Sequence, residues 1–253
     1  MSRAFAAAAA LATAFPSAAQ LAAQPSPRWG ALELSLSGYR PSIDAEFGGR
    51  ASPYQAAFGG SRNIMFRADL AYALIADHGS LELGFGAGYW EKYGHGFELS
   101  GAPSSDPTAL KIVPTRISLT YRFDVLANRY RWLPLAPYAR LSLDRYWWWV
   151  NDGSGSTANA SGKPGYGATN GYSFSAGVAL DLGAIDPDLA GEMDRDTGIN
   201  HTYLFVDFTK SYIRDFDSSR SWDLSDDRAV TVSDFLACPK SPAPWRFELG
   251  SPT

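Results

Sequence analysis

The sequence predicts an all-β chain closed into an antiparallel up-and-down β-barrel of about eight strands, transmembrane and preceded by an N-terminal signal peptide. Three observations predict it. Apolar and polar residues alternate with a period of two in one segment after another, long and short connections alternate between those segments, and aromatic side chains crowd the segment ends.

The boundaries come first. Arg3 precedes an alanine-rich apolar run from Phe5 to Phe15, and SAAQLAAQ then offers small residues where a signal peptidase would cut, after Ala19 or Ala23. Residues 1–23 are read as that signal peptide, 24–237 as the barrel and 238–253 as a C-terminal tail. No later segment approaches the roughly 18 unbroken apolar residues of a transmembrane helix, so a membrane position would have to be taken as a barrel. Cys238 is the only cysteine, so no internal disulfide can staple the exported domain. The net charge of −4 lacks the basic footprint that nucleic-acid binding needs.

The strands follow in order. In WGALELSLSGYR, Leu32, Leu34 and Leu36 oppose Glu33, Ser35 and Ser37; in NIMFRADLAYALIA, Ile64, Phe66, Ala68, Leu70, Tyr72 and Leu74 oppose Arg67 and Asp69. LELGFGAGYWEKY sets Leu81, Leu83, Phe85, Ala87 and Tyr89 against Glu82 and three glycines. PTRISLTYRFDV sets Ile117, Leu119, Tyr121 and Phe123 against Arg116, Ser118, Thr120, Arg122 and Asp124. The fifth, LAPYARLSLDRYWWWV, places Ala139, Leu141 and Leu143 opposite Tyr138, Arg140, Ser142, Asp144 and Tyr146. The sixth and seventh, NGYSFSAGVALDLG and HTYLFVDFTKSYI, alternate in the same way and carry Asp181 and Asp207 on their polar faces. RAVTVSDFL is the best candidate for the eighth.

Connections support this order. RPSIDAEFGGRASPYQAAFGGSR, GHGFELSGAPSSDPTALK and NDGSGSTANASGKPGYGAT are long, whereas DHGS and ANRYRW are short, as extracellular loops and periplasmic turns are. GAIDPDLAGEMDRDTGI is too long for a turn and RDFDSSRS too brief for a loop; the first is read as carrying a short acidic helix started by Asp186 and Pro187.

Which face meets water decides the class. The charged faces hold both signs, and the glycine- and serine-rich faces of the third and sixth segments suit a narrow interior that must also house arginines. A membrane barrel is therefore preferred, with the apolar faces on lipid. Tyr146, Trp147, Trp148 and Trp149 at one end of the fifth segment, with Tyr89, Trp90 and Tyr93 at the corresponding end of the third, are expected to form an interfacial belt. The alternative is a soluble exported barrel of lipocalin type, with the apolar faces turned inward around a small hydrophobic ligand.

The stretches GYRPSIDAEF and SPYQAAFGG, leading into RADLAY, resemble the start of a myxobacterial family of outer-membrane β-barrel proteins. Tyr39, Pro41, Ile43, Asp44, Pro53, Tyr54, Phe58 and Gly59 carry the likeness, and the later strands are similar in style. The resemblance implies an outer-membrane barrel of no assigned activity. The C-terminus departs from it: outer-membrane barrels usually end on an aromatic-terminated strand, and here the chain runs on through FLACPKSPAPWRFELGSPT, whose three prolines from Pro239 to Pro244 no central strand accommodates.

Chemistry is sparse. His78, His95 and His201 lie far apart, and no nucleophile elbow, zinc spacing or phosphate-cradling glycine loop occurs. An enzyme would have to use His201 with a serine such as Ser211. Asp194, Asp196 and Asn200 sit at spacings that could present oxygen ligands to calcium, although a solvated turn explains them better. Asn159 opens a formal glycosylation triplet without a role in a bacterial membrane. The expectation is thus a non-catalytic barrel, with no catalytic, metal or cofactor residues and no sign of an oligomer. Its partners would be outer-membrane lipid and, during biogenesis, the barrel assembly machinery.

Overall fold

The computed structural model describes residues 30–75, 79–97, 103–123, 134–152, 154–160, 163–183, 185–197, 199, 201–218 and 221–238. The predicted leader, the residues after 238, His78, Asp124 and the ANRYRW connection lie outside them. Among the described residues there are ten strands: β1 (Gly30–Tyr39), β2 (Asn63–Ile75), β3 (Ser80–Phe97), β4 (Pro103–Arg122), β5 (Leu135–Asn151), β6 (Asn159–Ala160), β7 (Lys163–Pro164), β8 (Tyr166–Asp181), β9 (His201–Ile213) and β10 (Asp226–Cys238). Eight of them close in the order β1-β10-β9-β8-β5-β4-β3-β2, every neighbour antiparallel, while β6 and β7 form a separate hairpin beside the rim. The eighth predicted strand, RAVTVSDFL, does close the barrel. It runs on through Cys238, which pairs with Gly30, so the predicted tail loses its first residue to the sheet.

Closure leaves no free edge, and the pleat then sorts the side chains. Ile117 is 55% exposed and Phe123 39% on the outer wall, whereas Arg116 is 5% exposed and Arg122 fully buried. Of the charges expected on the polar faces, Glu33, Arg67, Asp69, Glu82, Arg116, Arg122, Arg140, Asp144, Asp181 and Asp207 are all buried inside. A lipocalin-type arrangement needs the reverse, with Ile117, Leu119 and Leu141 lining the interior; all three point outward.

Strand lengths are uneven. β3, β4, β5 and β8 have 18, 20, 17 and 16 residues, against 10 for β1 and 13 each for β2, β9 and β10. A strand crosses a bilayer in about 9–11 residues. The four long strands are adjacent and continue the ladder beyond the loop end as a raised wall. This corrects the reading of Gly94–Lys111 as a loop: His95 pairs with Pro107 and Glu91 with Lys111 in β3 and β4. Glycines and prolines hid the strands, yet Pro114, whose ring supplies no donor, sits inside β4 opposite Tyr146.

The connection after β1 carries a turn of 3-10 helix, Ile43–Phe47, and a six-residue helix α1, Pro53–Phe58. At the other end of the barrel, α2 (Pro187–Thr197) follows β8. Asp186 caps it as expected, its Oδ1 accepting the Leu189 N–H at 3.1 Å.

Candidate functional site

The interior is built from cross-strand rows in which each arginine has a small neighbour. One row runs Glu33, Asp69, Gly86, Arg116, Asp144 and Gly171 from β1 through β8. Arg140 lies between Thr120 and Ser175, Arg122 beside Ser80, and Arg67 between Ser35 and Gly88. A guanidinium is too bulky for several to stand abreast in an eight-stranded lumen, so the serines and glycines supply the room.

Three of those arginines are matched to carboxylates, while Arg67 Nε meets the Met65 sulfur at 3.2 Å. Arg116 places Nε and Nη2 each 2.7 Å from the two Asp69 oxygens, with Glu33 at 4.0 Å from Nη2. Arg140 grips Glu33 through both terminal nitrogens, and its Nε donates to Thr120 Oγ1 at 2.9 Å. Fork-to-fork pairing of this kind is the geometry that offsets burial of a guanidinium and a carboxylate. Asp144 accepts the Ser173 hydroxyl at 2.7 Å.

Toward the turn end the filling becomes aromatic. Arg122 pairs with Glu82 at 3.1 Å and lies over the rings of Tyr203 and Phe205, at 5.1 and 5.2 Å. Tyr138 packs edge-on to Phe205 and donates its hydroxyl to Asp207 at 2.5 Å.

The loop end is closed by an apolar plug. Tyr39, Met65, Trp90, Ile112, Tyr146 and Ile213 point inward there, and Ile43, Tyr54 and Leu224 descend onto them from the two loops flanking β1 and β10. Tyr39 is the pivot: its ring meets Trp90 edge-on at 5.4 Å and its hydroxyl donates to the Leu224 carbonyl at 2.6 Å. Asp44 fixes the lid, accepting the backbone N–H groups of Tyr54 and Gln55 at 2.8 and 3.1 Å. Tyr54 stacks on Phe58, with Arg40 and Lys92 over its ring at 5.9 and 5.7 Å, and burial pushes its phenol well above the ordinary range. Above the plug Trp148 and Trp222 stack with ring centres 4.1 Å apart. The motif residues Tyr39, Ile43, Asp44 and Tyr54 thus build the closure of the mouth.

Several expected placements change. Trp90 and Tyr146 are fully buried in the plug, because alternation sends them inward while Tyr89, Tyr93 and Trp147 face out; the predicted belt is only partly on the outer wall. His201 and Ser211 are not brought together. They lie ten residues apart along β9, about 30 Å at a strand's rise per residue, and Ser211 Oγ is engaged with the Asp226 backbone. Positions 194 and 196 fall two apart in α2, a spacing that puts them on different faces of a helix; Asn200 lies outside the described residues. Among the described residues no group of three or more His, Cys, Asp or Glu is arranged to hold a metal.

No family model matches the chain, and no curated protein does. Among solved structures it is similar to Neisserial surface protein A, with a TM-score of 0.44 and 14% identity, covering 84% of this chain and 96% of that one. It is similar also to the N-terminal β-barrel domain of Pseudomonas aeruginosa OprF, with a TM-score of 0.37, 12% identity and coverage of 83% and 98%. A third is Ail, the attachment invasion locus protein of Yersinia pestis, in complex with the heparin analogue sucrose octasulfate, with a TM-score of 0.36, 9% identity and coverage of 84% and 96%.

Proposed function

We propose that the chain is a small barrel of the Gram-negative outer membrane whose lumen is filled by ion pairs and whose mouth is sealed by its own loops. It serves a structural or surface role and catalyses no reaction. The observation that carries this reading is the inversion of polarity, with Ile117 and Phe123 outside and the Arg116–Asp69 and Arg140–Glu33 pairs inside. Water cannot be the solvent of an outer wall so continuously apolar, and a hydrocarbon environment satisfies it.

The likeness of the plug motif to the myxobacterial outer-membrane family belongs to the same proposal. So does the absence of a free solute path: an eight-stranded interior is just filled by side chains, and three layers of them stand between mouth and turn end. A narrow conductance would require those layers to rearrange.

The test is gel mobility in dodecyl sulfate with and without boiling, followed by conductance in planar bilayers. A shifted unboiled band with no stable open steps is expected. Protein that stays monodisperse in plain buffer without detergent would overturn the membrane reading, and large porin-like steps would overturn the sealed lumen.

A further inference from the structure

RDFDSSRS, the connection too brief for a loop, folds in an uncommon way. Asp215, Phe216 and Asp217 all stand in the left-handed region, at φ of 52°, 55° and 73°, where side chains with a Cβ are rarely found. The turn is held there from both sides. The Asp215 N–H donates to the Asn170 carbonyl at 2.7 Å, Asn170 Nδ2 donates to Asp215 Oδ1 at 2.8 Å, and Arg214 pairs with Asp217 at 2.6 Å. Its effect is to set the Phe216 ring, 65% exposed, against the outside of the barrel.

Phe216 there flanks a groove of about 370 Å³, within the range of about 300–1,000 Å³ that small-molecule sites occupy. The ladder divides the lining of that groove by chemistry. Thr115, Arg145 and Asn170 form one cross-strand row, and Ile117 and Leu143 form part of the outward row beneath it, with Phe85 beside Ile117. Arg145 stands ten residues from Leu135 toward the loop end, about 33 Å along a tilted strand and so near the top of an apolar band roughly 25 Å tall. Its guanidinium lies over the Trp147 ring at 4.3 Å and has neither a hydrogen bond nor an ion pair to any described residue.

We propose that this groove is a binding site for one anionic, phosphate-bearing lipid of the leaflet on the loop side, an inference that rests on the membrane-barrel reading. The phosphate meets Arg145, whose planar fork matches two phosphate oxygens, and an acyl chain runs down over Leu143, Ile117 and Phe85 with Phe216 along its flank. A free anion would leave the apolar floor uncovered. A purely apolar ligand would leave the cation without a counter-charge at the edge of hydrocarbon. Two contrasts on the outer wall favour the lipid. A second groove of about 530 Å³, around Gly30, Leu32, Leu70, Tyr72 and Leu83, has no charged residue in its lining, so any acyl chain suits it. Lys210 is an outward cation over a ring, that of Tyr212 at 5.1 Å, but it stands outside the Phe216 groove.

The experiment is native mass spectrometry of the full chain released from detergent, with phosphatidylglycerol or phosphatidylcholine added. One retained phosphatidylglycerol per barrel is expected, held about tenfold better than phosphatidylcholine and not displaced by glycerol 3-phosphate. Equal retention of the two lipids means that charge plays no part and overturns the proposal. Displacement by glycerol 3-phosphate marks a free-phosphate site and overturns it too. Arg145→Gln should cut retention about tenfold and Phe216→Ala several-fold, whereas Lys210→Gln should leave it unchanged. Equal losses at Arg145 and Lys210 mean a general attraction to the surface and overturn the site. The competition uses the parent chain, so it decides even where a variant does not fold. Unboiled gel mobility separates the two failures: a shifted parent band without the lipid adduct sinks the site alone, while a parent with no shift sinks the membrane barrel and the site with it.

Discussion

Arg116 and Asp69 form a two-pronged ion pair across a strand that belongs to neither: β3 runs between them, and the residue in their row is Gly86. A Cβ built on Gly86 would run into the Asp69 carboxylate. The pair exists because one position of the intervening strand carries no side chain.

Gly86→Ala should therefore destabilise the barrel by about 1–3 kcal/mol, the cost of overpacking a filled interior. A lower urea midpoint in detergent, with the slope unchanged, is the expected readout. Ala87→Gly, on the outward position next to it, should cost less.

Removing one member of the pair should cost more than removing both. Asp69→Ala leaves the Arg116 guanidinium buried without its main partner and should cost about 3–5 kcal/mol, whereas Asp69→Leu with Arg116→Met should recover much of that. Reversible unfolding of the two variants in the same detergent checks the order; equal losses would mean that water reaches the pair.

Two tyrosines of the plug should respond in opposite ways to loss of the hydroxyl. Tyr39→Phe breaks the bond to the Leu224 carbonyl and should cost about 1 kcal/mol. The Tyr54 hydroxyl is buried with no hydrogen-bond partner among the described residues, so Tyr54→Phe should be neutral or stabilising. Thermal unfolding of the two variants side by side decides it.

On the outer wall, Leu119→Arg should cost about 2–4 kcal/mol in a bilayer, the penalty for a cation near mid-depth. The penalty should shrink in short-chain detergent. An arginine tolerated equally in both would argue that this wall never meets hydrocarbon.

Much of this architecture was legible in single strands. Ile117 through Phe123 alternate without exception, so the pleat separated two faces on each strand, and the mixed charges and small residues of one face were needed to turn it inward. What escaped was whatever depends on register between strands. Nothing within LELGFGAGYWEKY says that Gly86 must stand beside Asp69, because that adjacency is a property of two strands brought together by closure. Trp90 and Tyr146 were read as interfacial because a cluster of rings looks the same whether the rings face lipid or pack against Tyr39. Strand beyond Gly94 looked like loop because above a membrane neither face of a strand needs to be apolar, and the period-two signal fades. The lid was hidden for a related reason: Asp44 reaches Tyr54 across ten residues, a contact no local pattern announces.

The β6–β7 hairpin has a practical use. It hangs from the rim on a two-residue ladder of its own, and none of its pairs belongs to the barrel sheet. A foreign peptide spliced between Ala160 and Lys163 would lengthen an appendage and leave the closing ladders and the plug untouched. The chain is in this sense a ready-made display scaffold, able to present an epitope without renegotiating its own fold.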